Sequence, residues 1–468
     1  MINCFSVSVK KLKRGNSMVP EFYYYDLIVK EKNIKKGIKY IKIEEFKVSD
    51  GEHTAIPRNS NCGIRYLYGR NIREGCVDFD PISDESYIDE ENYNSIKRVH
   101  LFENDVLIPI VGTIGKSAIY KKAYIGIAGI PRHIAHITID DCSEITPEYL
   151  SVFFRSKYGK VQLYSLTTGN IQPLLSLTNL KTVEIPVLDR NIIKKITENE
   201  EEANRLLIKS NEKLNEAKEL FYESLGFEIR KVKGNLSCSI TSKDVFSNDI
   251  WTPKQYGLLY ENINKEIVNR FHVERLDDIL SESFHGVEVG SNNYNEYLDK
   301  ESTDIPFIRT SDIVNNSVDL YPDFYINEDI YANVKQNLKN KDVIFTKDGK
   351  IGSVGMIMEN DNCILASGIQ IMRLNEYAKS NGITQEYLFI ALSTKEIGYY
   401  EAIRRTVVAS TIPHLRPERM NEITIPVISK EKIDIITQCV SEAFRYKNQR
   451  IPLLKENDNI LEKAFIII

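Results

Sequence analysis

Two polar stretches carry the side chains best suited to contact nucleic acid. Residues 164–172 read YSLTTGNIQ, and residues 404–416 read RRTVVASTIPHLR. Side chains of Asn, Gln, Ser, Thr and Arg hydrogen-bond the edges of bases and the oxygens of phosphates. The same composition is typical of a solvated surface loop, so either stretch by itself leaves both interpretations open. Their equivalent positions in a duplicated sequence favour the binding interpretation.

The duplication is visible as a series of matches between the two halves of the chain. Residues 64–72, IRYLYGRNI, match residues 305–313, IPFIRTSDI, at an offset of 241 residues. Further matches follow in the same order: 87–90 with 325–328, 104–108 with 341–345, 112–115 with 349–352, 145–150 with 383–388, and 184–187 with 424–427. Chance matches would not keep one order and nearly one offset, so an internal repeat is predicted.

Each copy of the repeat is predicted to form an α/β globule that leads into a long helix. Residues 105–110 and 342–346 are apolar and β-branched, as strands are, and turns that contain glycine follow them. Thr146 and Thr384 are each suited to cap the start of a short helix. An Ile-Pro-Val strand then precedes the long helix in both copies.

The two long helices are predicted from their periodicity. Residues 191–227 place mostly apolar or small residues three and four apart, in a heptad frame that begins at Ile193. Residues 431–465 carry a similar frame. At ~1.5 Å per residue, the first helix would span about 50 Å, and its apolar seam needs a partner. Pro452 is expected to kink or break the second helix.

Motifs for other chemistry are incomplete. Residues 112–117, GTIGKS, resemble the end of a phosphate-binding loop, but Ile110 stands where that loop needs its first glycine. His133 and His136 lie in a predicted strand, 130–139, where positions i and i+3 face opposite sides, so a shared metal ion is not expected. The Asn/Asp-Pro-Pro-Tyr/Phe signature of amino-methyltransferases is missing too. We therefore expect no catalytic residue, cofactor or metal site in this chain.

Bulk composition indicates a globular cytoplasmic protein. The 468 residues suffice for two or three domains, with 42% hydrophobic and 27% charged residues. Seven scattered cysteines without a CxxC pair indicate reduced thiols. The sequence contains no run of about 18 apolar residues, so no membrane span is predicted. The N-terminal residues do not resemble a signal peptide. The net charge of −5 argues mildly against a nucleic-acid binder, although the local field decides binding.

Taken together, these motifs resemble the specificity subunit of Type I restriction–modification enzymes. The resemblance rests on the paired segments IRYLYGRNI and IPFIRTSDI, on DVLIPIVGTIGK and DVIFTKDGKIG, and on EIPV and TIPV before the long helices. It covers nearly the whole chain. Each motif alone is degenerate, whereas their order, duplication and spacing to the helices are specific.

The resemblance implies an α/β (α+β) fold with two repeated target recognition domains separated by two long antiparallel coiled-coil helices. The implied boundaries are 1–188 for the first target recognition domain, 189–227 for a central helix, 228–428 for the second target recognition domain, and 429–468 for a C-terminal helix. Each domain would bind one half of a split double-stranded DNA target. The protein would be a non-catalytic subunit in phage defence.

The same resemblance implies partners for the helices. Methyltransferase (modification) subunits, expected in two copies, would dock there, bind S-adenosylmethionine and methylate adenine. Restriction or translocase subunits are further partners in the family. Within this framework, the two half-sites would lie about one turn of DNA, ~34–36 Å, apart.

The residues expected to contact DNA are polar or basic and lie in the loops and turns of both copies. Base contacts are expected from Arg132, His133, Asn170 and Gln172, and from Arg404, Arg405, Ser410, Thr411 and His414. Phosphate contacts are expected from Arg70, Lys116, Arg309, Lys347 and Lys350. The remaining members of the set are Asn71, Thr168, Ser311 and Arg416.

Two alternatives remain open from the sequence. The same module could serve a different phage-defence system or a stand-alone methylation system, with another catalytic partner. A structural repeat protein that binds other proteins through its helices, without a role on DNA, is the second alternative.

Overall fold

Each copy of the repeat forms its own structural unit. The first unit comprises Met1–Leu207 and Gln449–Ile468, and the second comprises Ile208–Asn448. The computed structural model describes residues 37–58, 62–78, 87–169, 172–226, 228–232, 239–248, 253–288, 305–328, 336–409 and 412–465, together with Val7, Tyr23, Ala332 and Val334. The predicted domain boundaries at residues 188, 227 and 428 stay predictions.

Strands and helices alternate along both units. The strands are β1 Lys39–Lys42, β2 Lys47–Asp50, β3 Ile64–Tyr66, β4 Ile72–Arg73, β5 Gly75–Val77, β6 Tyr87–Ile88, β7 Val106–Pro109, β8 Ala118–Ile119, β9 Ala128–Gly129, β10 Ile134–Thr138, β11 Glu184–Val187, β12 His272–Arg275, β13 Leu280–His285, β14 Ile305–Ile308, β15 Ile313–Val314, β16 Ser317–Val318, β17 Phe324–Ile326, β18 Val343–Thr346, β19 Val354–Met356, β20 Ile364–Leu365, β21 Ile369–Leu374, β22 Val407–Ala409, β23 Ile412–His414 and β24 Thr424–Val427. The α-helices are α1 Glu90–Ser95, α2 Lys122–Ile125, α3 Pro147–Arg155, α4 Lys157–Ser165, α5 Leu177–Lys181, α6 Arg190–Ser224, α7 Ser242–Asn248, α8 Leu258–Arg270, α9 Leu276–Ile279, α10 Glu376–Ser380, α11 Gln385–Leu392, α12 Tyr400–Arg404, α13 Pro417–Asn421 and α14 Lys430–Phe465. Short 3₁₀ turns lie at Gly69–Asn71 and Thr310–Asp312, and a π-helical turn lies at Lys395–Tyr399.

The first unit is built on a six-stranded sheet in the order β2-β10-β7-β8-β5-β4. The central strands β7 and β10 pair antiparallel, with Ala135 opposite Ile108. A smaller sheet orders β6-β3-β9, and a two-stranded sheet joins β1 to β11. The apolar β-branched run predicted at 105–110 is thus a central strand, buried along its length.

The second unit follows the same strand order, except that β15 and β16, which correspond to β4 and β5, form a separate two-stranded sheet. Strands β13-β21-β18-β19 form its main sheet, β17-β14-β20 form the small sheet, and β12 pairs with β24. In both small sheets, one neighbour of the central strand is antiparallel and the other is parallel. The predicted fold class is therefore confirmed in its coarse form, since each unit mixes helices with sheets and follows one strand plan.

Helix α3 and helix α11 are held in place by matched hydrogen bonds. The hydroxyl groups of Thr146 and Thr384 accept the backbone N–H of Tyr149 and Tyr387, so the predicted N-caps are confirmed. Each Tyr hydroxyl then donates to the carbonyl of an Ile-Pro-Val strand, at 2.7 Å in the first unit and 2.5 Å in the second. Local caps and strand contacts therefore orient the short helix in both units.

Each unit also contains part of both long helices. In the first unit, Lys195 Nζ lies 3.5 Å from Glu456 Oε1, and Asn199 Nδ2 donates to Asn457 Oδ1 at 3.1 Å. In the second unit, Lys213 lies 3.4 Å from Glu442. The predicted helical stretches are confirmed, but their arrangement as one antiparallel coiled coil between two domains stays a prediction.

Pro452 does not break the second long helix. Helix α14 runs from Lys430 to Phe465 with Pro452 inside it. The proline lies on the exposed side of the helix. A carbonyl that loses its N–H donor there can be hydrated, which makes an internal proline tolerable. Across the described ranges, every helix is too short or too polar to cross a membrane.

Candidate nucleic-acid interface

In the first unit, the glycine-containing turn after β7 is hydrogen-bonded to the polar loop. The N–H of Gly112 donates to the carbonyl of Pro173 at 2.9 Å, and the N–H of Leu175 donates to the carbonyl of Ile110 at 2.8 Å. The N–H of Ile110 donates to the carbonyl of His133 at 2.9 Å. Three stretches that are distant in sequence therefore meet at this turn.

The second unit makes the same pair of bonds. The N–H of Gly349 donates to the carbonyl of Pro413 at 3.0 Å, and the N–H of Leu415 donates to the carbonyl of Lys347 at 2.8 Å. The polar loop of this unit is a hairpin of β22 and β23, in which Val407 lies opposite His414. Both units thus present a polar loop on a glycine turn by the same backbone contacts.

Close packing explains the second glycine of each turn. Gly115 and Gly352 adopt φ angles of +81° and +89°, which side-chain-bearing residues rarely adopt. A Cβ atom would approach Lys160 Cγ to 2.8 Å at Gly115, and Tyr399 Cδ2 to 2.7 Å at Gly352. These glycines let the turn lie directly on α4 in the first unit and on the π-helical turn in the second.

A 3₁₀ turn lies beside the glycine turn in each unit. Asn71 Oδ1 accepts the N–H of Tyr68 at 2.8 Å, and Asp312 Oδ2 accepts the N–H of Arg309 at 3.0 Å. A Cβ on Gly69 would meet Pro109 Cβ at 3.6 Å. The buried side chains of Asn71 and Asp312 therefore shape the turn from inside, so we do not propose Asn71 as a DNA contact.

Five predicted residues of the first unit are exposed around this turn. They are Arg70, Arg132, His133, Thr168 and Gln172. A Cβ on Gly112 would lie 3.1 Å from Gln172 Nε2, so that amide sits directly over the turn. Thr168 is fixed by backbone hydrogen bonds in both directions with Leu174, each of 2.8 Å.

The predicted phosphate contact at Lys116 is not supported by its position. Its side chain is only 1% exposed, between strand β8 and the glycine turn. A buried ammonium cannot reach a phosphate without a rearrangement, so Lys116 is removed from the proposed interface. Sequence reasoning failed here because a lysine after a glycine turn gives no sign of which way its side chain points.

Ionic partners neutralise most predicted cations of the second unit. Arg309 pairs with Asp312 at 3.2 Å and with Asp323 at 2.8 Å. Lys347 Nζ lies 2.7 Å from Asp348 Oδ2, whose other oxygen is 2.9 Å from His414 Nδ1. This carboxylate was not predicted, and it joins two predicted residues into one polar group.

The two arginines at the end of α12 face inward. Arg405 is buried and forms ion pairs with Glu401 and Glu422, and Arg404 lies 3.0 Å from Glu401. Direct base contacts by Arg404 and Arg405 are therefore corrected to a structural role. Their pattern resembled a basic loop, but they close a helix and pair with its own acidic residue.

Three of the remaining predicted DNA contacts lie in the part of the chain that the structure describes, and three lie outside it. Arg416 is exposed, whereas Ser311 and Lys350 are half-buried beside the hairpin and turn. Asn170, Ser410 and Thr411 lie outside the described residues.

Exposed apolar residues flank both polar loops, and sequence reasoning did not select them. Tyr164 and Leu174 are exposed in the first unit, and Val408 and Ile412 in the second. Apolar groups contact the methyl group of thymine in the major groove. Their alternation with polar residues in the loops was the available signal.

Histidine at this site is suited to neutral hydrogen bonding. Partial burial lowers the pKa of His133, and the neighbouring Arg132 lowers it further. A neutral imidazole has one donor and one acceptor nitrogen, so it can hydrogen-bond either a donor or an acceptor group on a base edge. Within the described residues, no group of three or more His, Cys, Asp or Glu side chains is arranged to hold a metal ion.

Comparison with known proteins finds a family match in the second half of the chain. Residues 287–456 match the family model of the Type I restriction modification DNA specificity domain. This segment is similar to that domain along its length. It contains the glycine turn at Gly349, the hairpin and His414. The resemblance that the repeated motifs predicted is thereby confirmed.

Relatives of known name agree with the domain match. The specificity subunit of the Type I restriction enzyme MjaIX from Methanocaldococcus jannaschii is 30% identical over 211 residues, 44% of this chain and 43% of that protein. The match thus spans less than half of either protein. Among solved structures, the S subunit of a Type I restriction–modification system from M. genitalium has 14% identity and a TM-score of 0.31, covering 93% of this chain and 98% of that one. The HsdS subunit from Thermoanaerobacter tengcongensis has 14% identity and a TM-score of 0.26, covering 92% and 97%.

Proposed function

We propose that this protein is the DNA-recognition subunit of a Type I restriction–modification enzyme and binds a bipartite DNA target. The observation that carries the proposal is the repeated interface: in both units, a glycine turn holds a polar loop by the same two backbone hydrogen bonds. The specificity-domain match covers this interface in the second unit. One unit would bind each half of the target.

The side chains of the two interfaces differ while their backbone frames agree. Gln172 precedes Pro173 in the loop of the first unit, and Ile412 precedes Pro413 at the equivalent position of the second. Thr168, which pairs with Leu174, corresponds to Val407, which pairs with His414. An amide can read adenine through paired hydrogen bonds, whereas apolar groups favour the thymine methyl. Two different half-sites require such a difference, which a purely structural repeat does not.

Positive charge for phosphate binding comes from the exposed arginines. Arg70 and Arg132 lie beside the first interface and Arg416 beside the second. Because these charges are local, the overall charge of −5 does not oppose them strongly at the binding face. Affinity is expected to fall steeply with salt, as it does when phosphate contacts release counterions.

Catalysis is assigned to partner subunits. Two methyltransferase subunits would bind S-adenosylmethionine and methylate adenine at the sites that this chain selects. The long helices would hold the two recognition units at a fixed distance and provide the docking surface for those partners. Restriction or translocase subunits would join the same complex in the cytoplasm.

The direct test is an exchange of one loop. The complex with its methyltransferase subunits is assayed by gel shift and by sequencing of methylated DNA, because the subunit alone binds weakly in this proposal. Replacing residues 162–175 by the corresponding loop of another specificity subunit should alter one half-site and leave the other unchanged. A change in both half-sites, or no bipartite motif with the unmodified complex, would contradict the assignment.

A further inference from the structure

A buried ionic network lies where α3 meets the first long helix in the first unit. Arg155 Nη2 donates to both carboxylate oxygens of Glu200 at 2.9 Å, and Arg155 Nη1 donates to Ser151 Oγ at 2.9 Å. The side chain of Glu200 is fully buried. In the heptad frame that begins at Ile193, Glu200 occupies a position of the apolar seam. The network therefore interrupts the surface that would otherwise pair by hydrophobic contact alone.

The same network reaches the second long helix. Asn457 Nδ2 lies 3.4 Å from Glu200 Oε2 and 3.4 Å from the carbonyl oxygen of Ile196, while Asn457 Oδ1 accepts from Asn199 at 3.1 Å. Asn457 is also buried at a seam position. Because an amide at such a position can be satisfied in only one alignment, it specifies the register of two helices.

A second buried pair ties the sheet to the second long helix. Arg450 Nη1 donates to Glu74 Oε2 at 2.6 Å, and Nη2 donates to the Glu74 carbonyl at 2.7 Å. Glu74 begins the turn between β4 and β5, and Gly75 follows it. A Cβ on Gly75 would lie 2.0 Å from Glu200 Oε1 and 2.4 Å from Arg155 Nη1. The turn therefore packs directly against the network, so both long helices are joined to the globule.

The equivalent positions of the second unit are not ionic. Ser393 stands in the place of Arg155, Val440 in that of Glu200, and Ala217 in that of Asn457, and all three are buried. The rings of Phe389 and Phe444 pack there, with centroids 5.4 Å apart. A buried lysine, Lys447, also lies there and donates to the carbonyl of Asn315. The second unit thus closes the same junction without the Arg–Glu pair, so folding does not require the ion pair of the first unit.

Stability does not explain the buried charges. Buried ion pairs are often no more stabilising than apolar residues of similar volume, because desolvation offsets their attraction. Among the described residues, neither amide atom of the neighbouring Asn204 has a hydrogen-bond partner. A slip by one heptad would bring Arg450 or Ala464 to the place of Asn457. Glu200 or Glu74 would then lose its partner, whereas an apolar seam would tolerate the slip.

We propose that the network of Arg155, Glu200, Asn457, Arg450 and Glu74 sets the spacing between the two DNA half-sites, by allowing only one register of the long helices in the first unit. This inference rests on the proposed function. A slip by one heptad displaces a helix by ~10.5 Å, which is about three base pairs of DNA. The five residues are positioning residues, because none of them contacts DNA in this proposal.

The test replaces the three members of the network that join α3 to both long helices, Arg155, Glu200 and Asn457, by the residues of the second unit. The triple variant R155S/E200V/N457A is assembled with its methyltransferase subunits, and the methylated sites are sequenced. We expect both half-site sequences to be kept, with about a tenfold rise in the share of methylated sites that carry another spacer, mainly spacers about three base pairs longer or shorter. A single unchanged spacer would overturn the proposal.

Two further variants keep this test decisive. The matched control R270S/E266V removes an exposed Arg–Glu pair of 2.9 Å in the second unit and should keep the wild-type spacer. If the triple variant does not fold, N457A alone is used, and it should also broaden the spacers; a single spacer again refutes the inference. Absence of any bipartite motif with the wild-type complex would reject the proposed function instead.

Discussion

Replacing Arg155 by serine should destabilise the first unit by about 3–5 kcal/mol, because it leaves a buried carboxylate without its cation. Glu200 receives two hydrogen bonds of 2.9 Å from this guanidinium, and its other contact, to Asn457, is longer at 3.4 Å. Replacing Glu200 by valine should cost a similar amount, since it leaves Arg155 buried in the same way. The two single variants measure the penalty of an unpaired charge.

The double variant R155S/E200V should be far less destabilised than either single variant. Its residues are those that the second unit has at Ser393 and Val440, where the junction is buried and closed. We expect a loss below about 1.5 kcal/mol, as for apolar replacements of buried ion pairs. The coupling energy of the cycle would then be at least about 4.5 kcal/mol, above the usual range of about 0.5–3 kcal/mol for neighbouring residues.

Urea unfolding gives these energies, and hydrogen exchange of residues 147–155 assigns them to the first unit. The second measurement is needed because a chain with two units need not unfold in one step. The exposed pair Arg270–Glu266 is the control, and R270S/E266V should change stability by less than about 1 kcal/mol. If the free-energy losses of the two single variants simply add in R155S/E200V, the penalty does not come from an unpaired buried charge.

The pH dependence of the stability of R155S provides a second test of the buried-charge penalty. Burial raises the pKa of Glu200, while Arg155 and Arg450 oppose this shift. Without Arg155, the pKa must rise further, so the folded state holds a proton that the unfolded state releases. The stability from that proton is lost as pH rises through the folded pKa. The penalty of R155S should therefore shrink between about pH 8 and about pH 5, and a constant penalty would contradict it.

Two further predictions concern the recognition function. Shortening the first long helix, residues 191–227, by one heptad should change the spacer by about three base pairs, and methylome sequencing with an unchanged spacer would contradict this. Gly115→Ala and Gly352→Ala should each weaken recognition of one half-site about tenfold, because a Cβ meets Lys160 or Tyr399 and the positive φ is strained. Gel shifts with DNA altered in one half-site at a time would distinguish them, and equal loss at both half-sites would refute the assignment.

Local patterns predicted the frame of the protein well. The Thr-Pro-Glu and Thr-Gln-Glu segments at Thr146 and Thr384 specify capped helices, and the structure has them. The strand before each glycine turn follows from its apolar β-branched run. These features depend on residues that are close in sequence, and the repeat supplied two independent instances of each.

Side-chain environment was predicted poorly, because it depends on residues distant in sequence. Lys116 is buried although it follows a glycine turn, and Arg405 pairs with Glu401 and Glu422 rather than facing outward. Asp348 was missed because a lone aspartate in a loop gives no signal until His414 is placed beside it. Residue type and spacing indicate where a candidate interface lies, whereas side-chain orientation decides which residues the proposal keeps.

The heptad pattern of the second long helix was predicted from its apolar residues, and its buried polar seam positions were not predicted. Lys447, Arg450 and Asn457 fall at seam positions of the second long helix, between apolar residues, and all three are buried. In a repeated chain, an entirely apolar seam would let similar helix segments exchange places or slip. Ionic residues in one unit and Ser393, Val440 and Ala217 at the equivalent positions of the other make those alternatives unequal, because a misplaced Glu200 would lose its two hydrogen bonds from Arg155. The proposed function requires two different recognition units to be held at one distance. For that function, a single favoured helix register matters more than the additional stability of a uniformly apolar core.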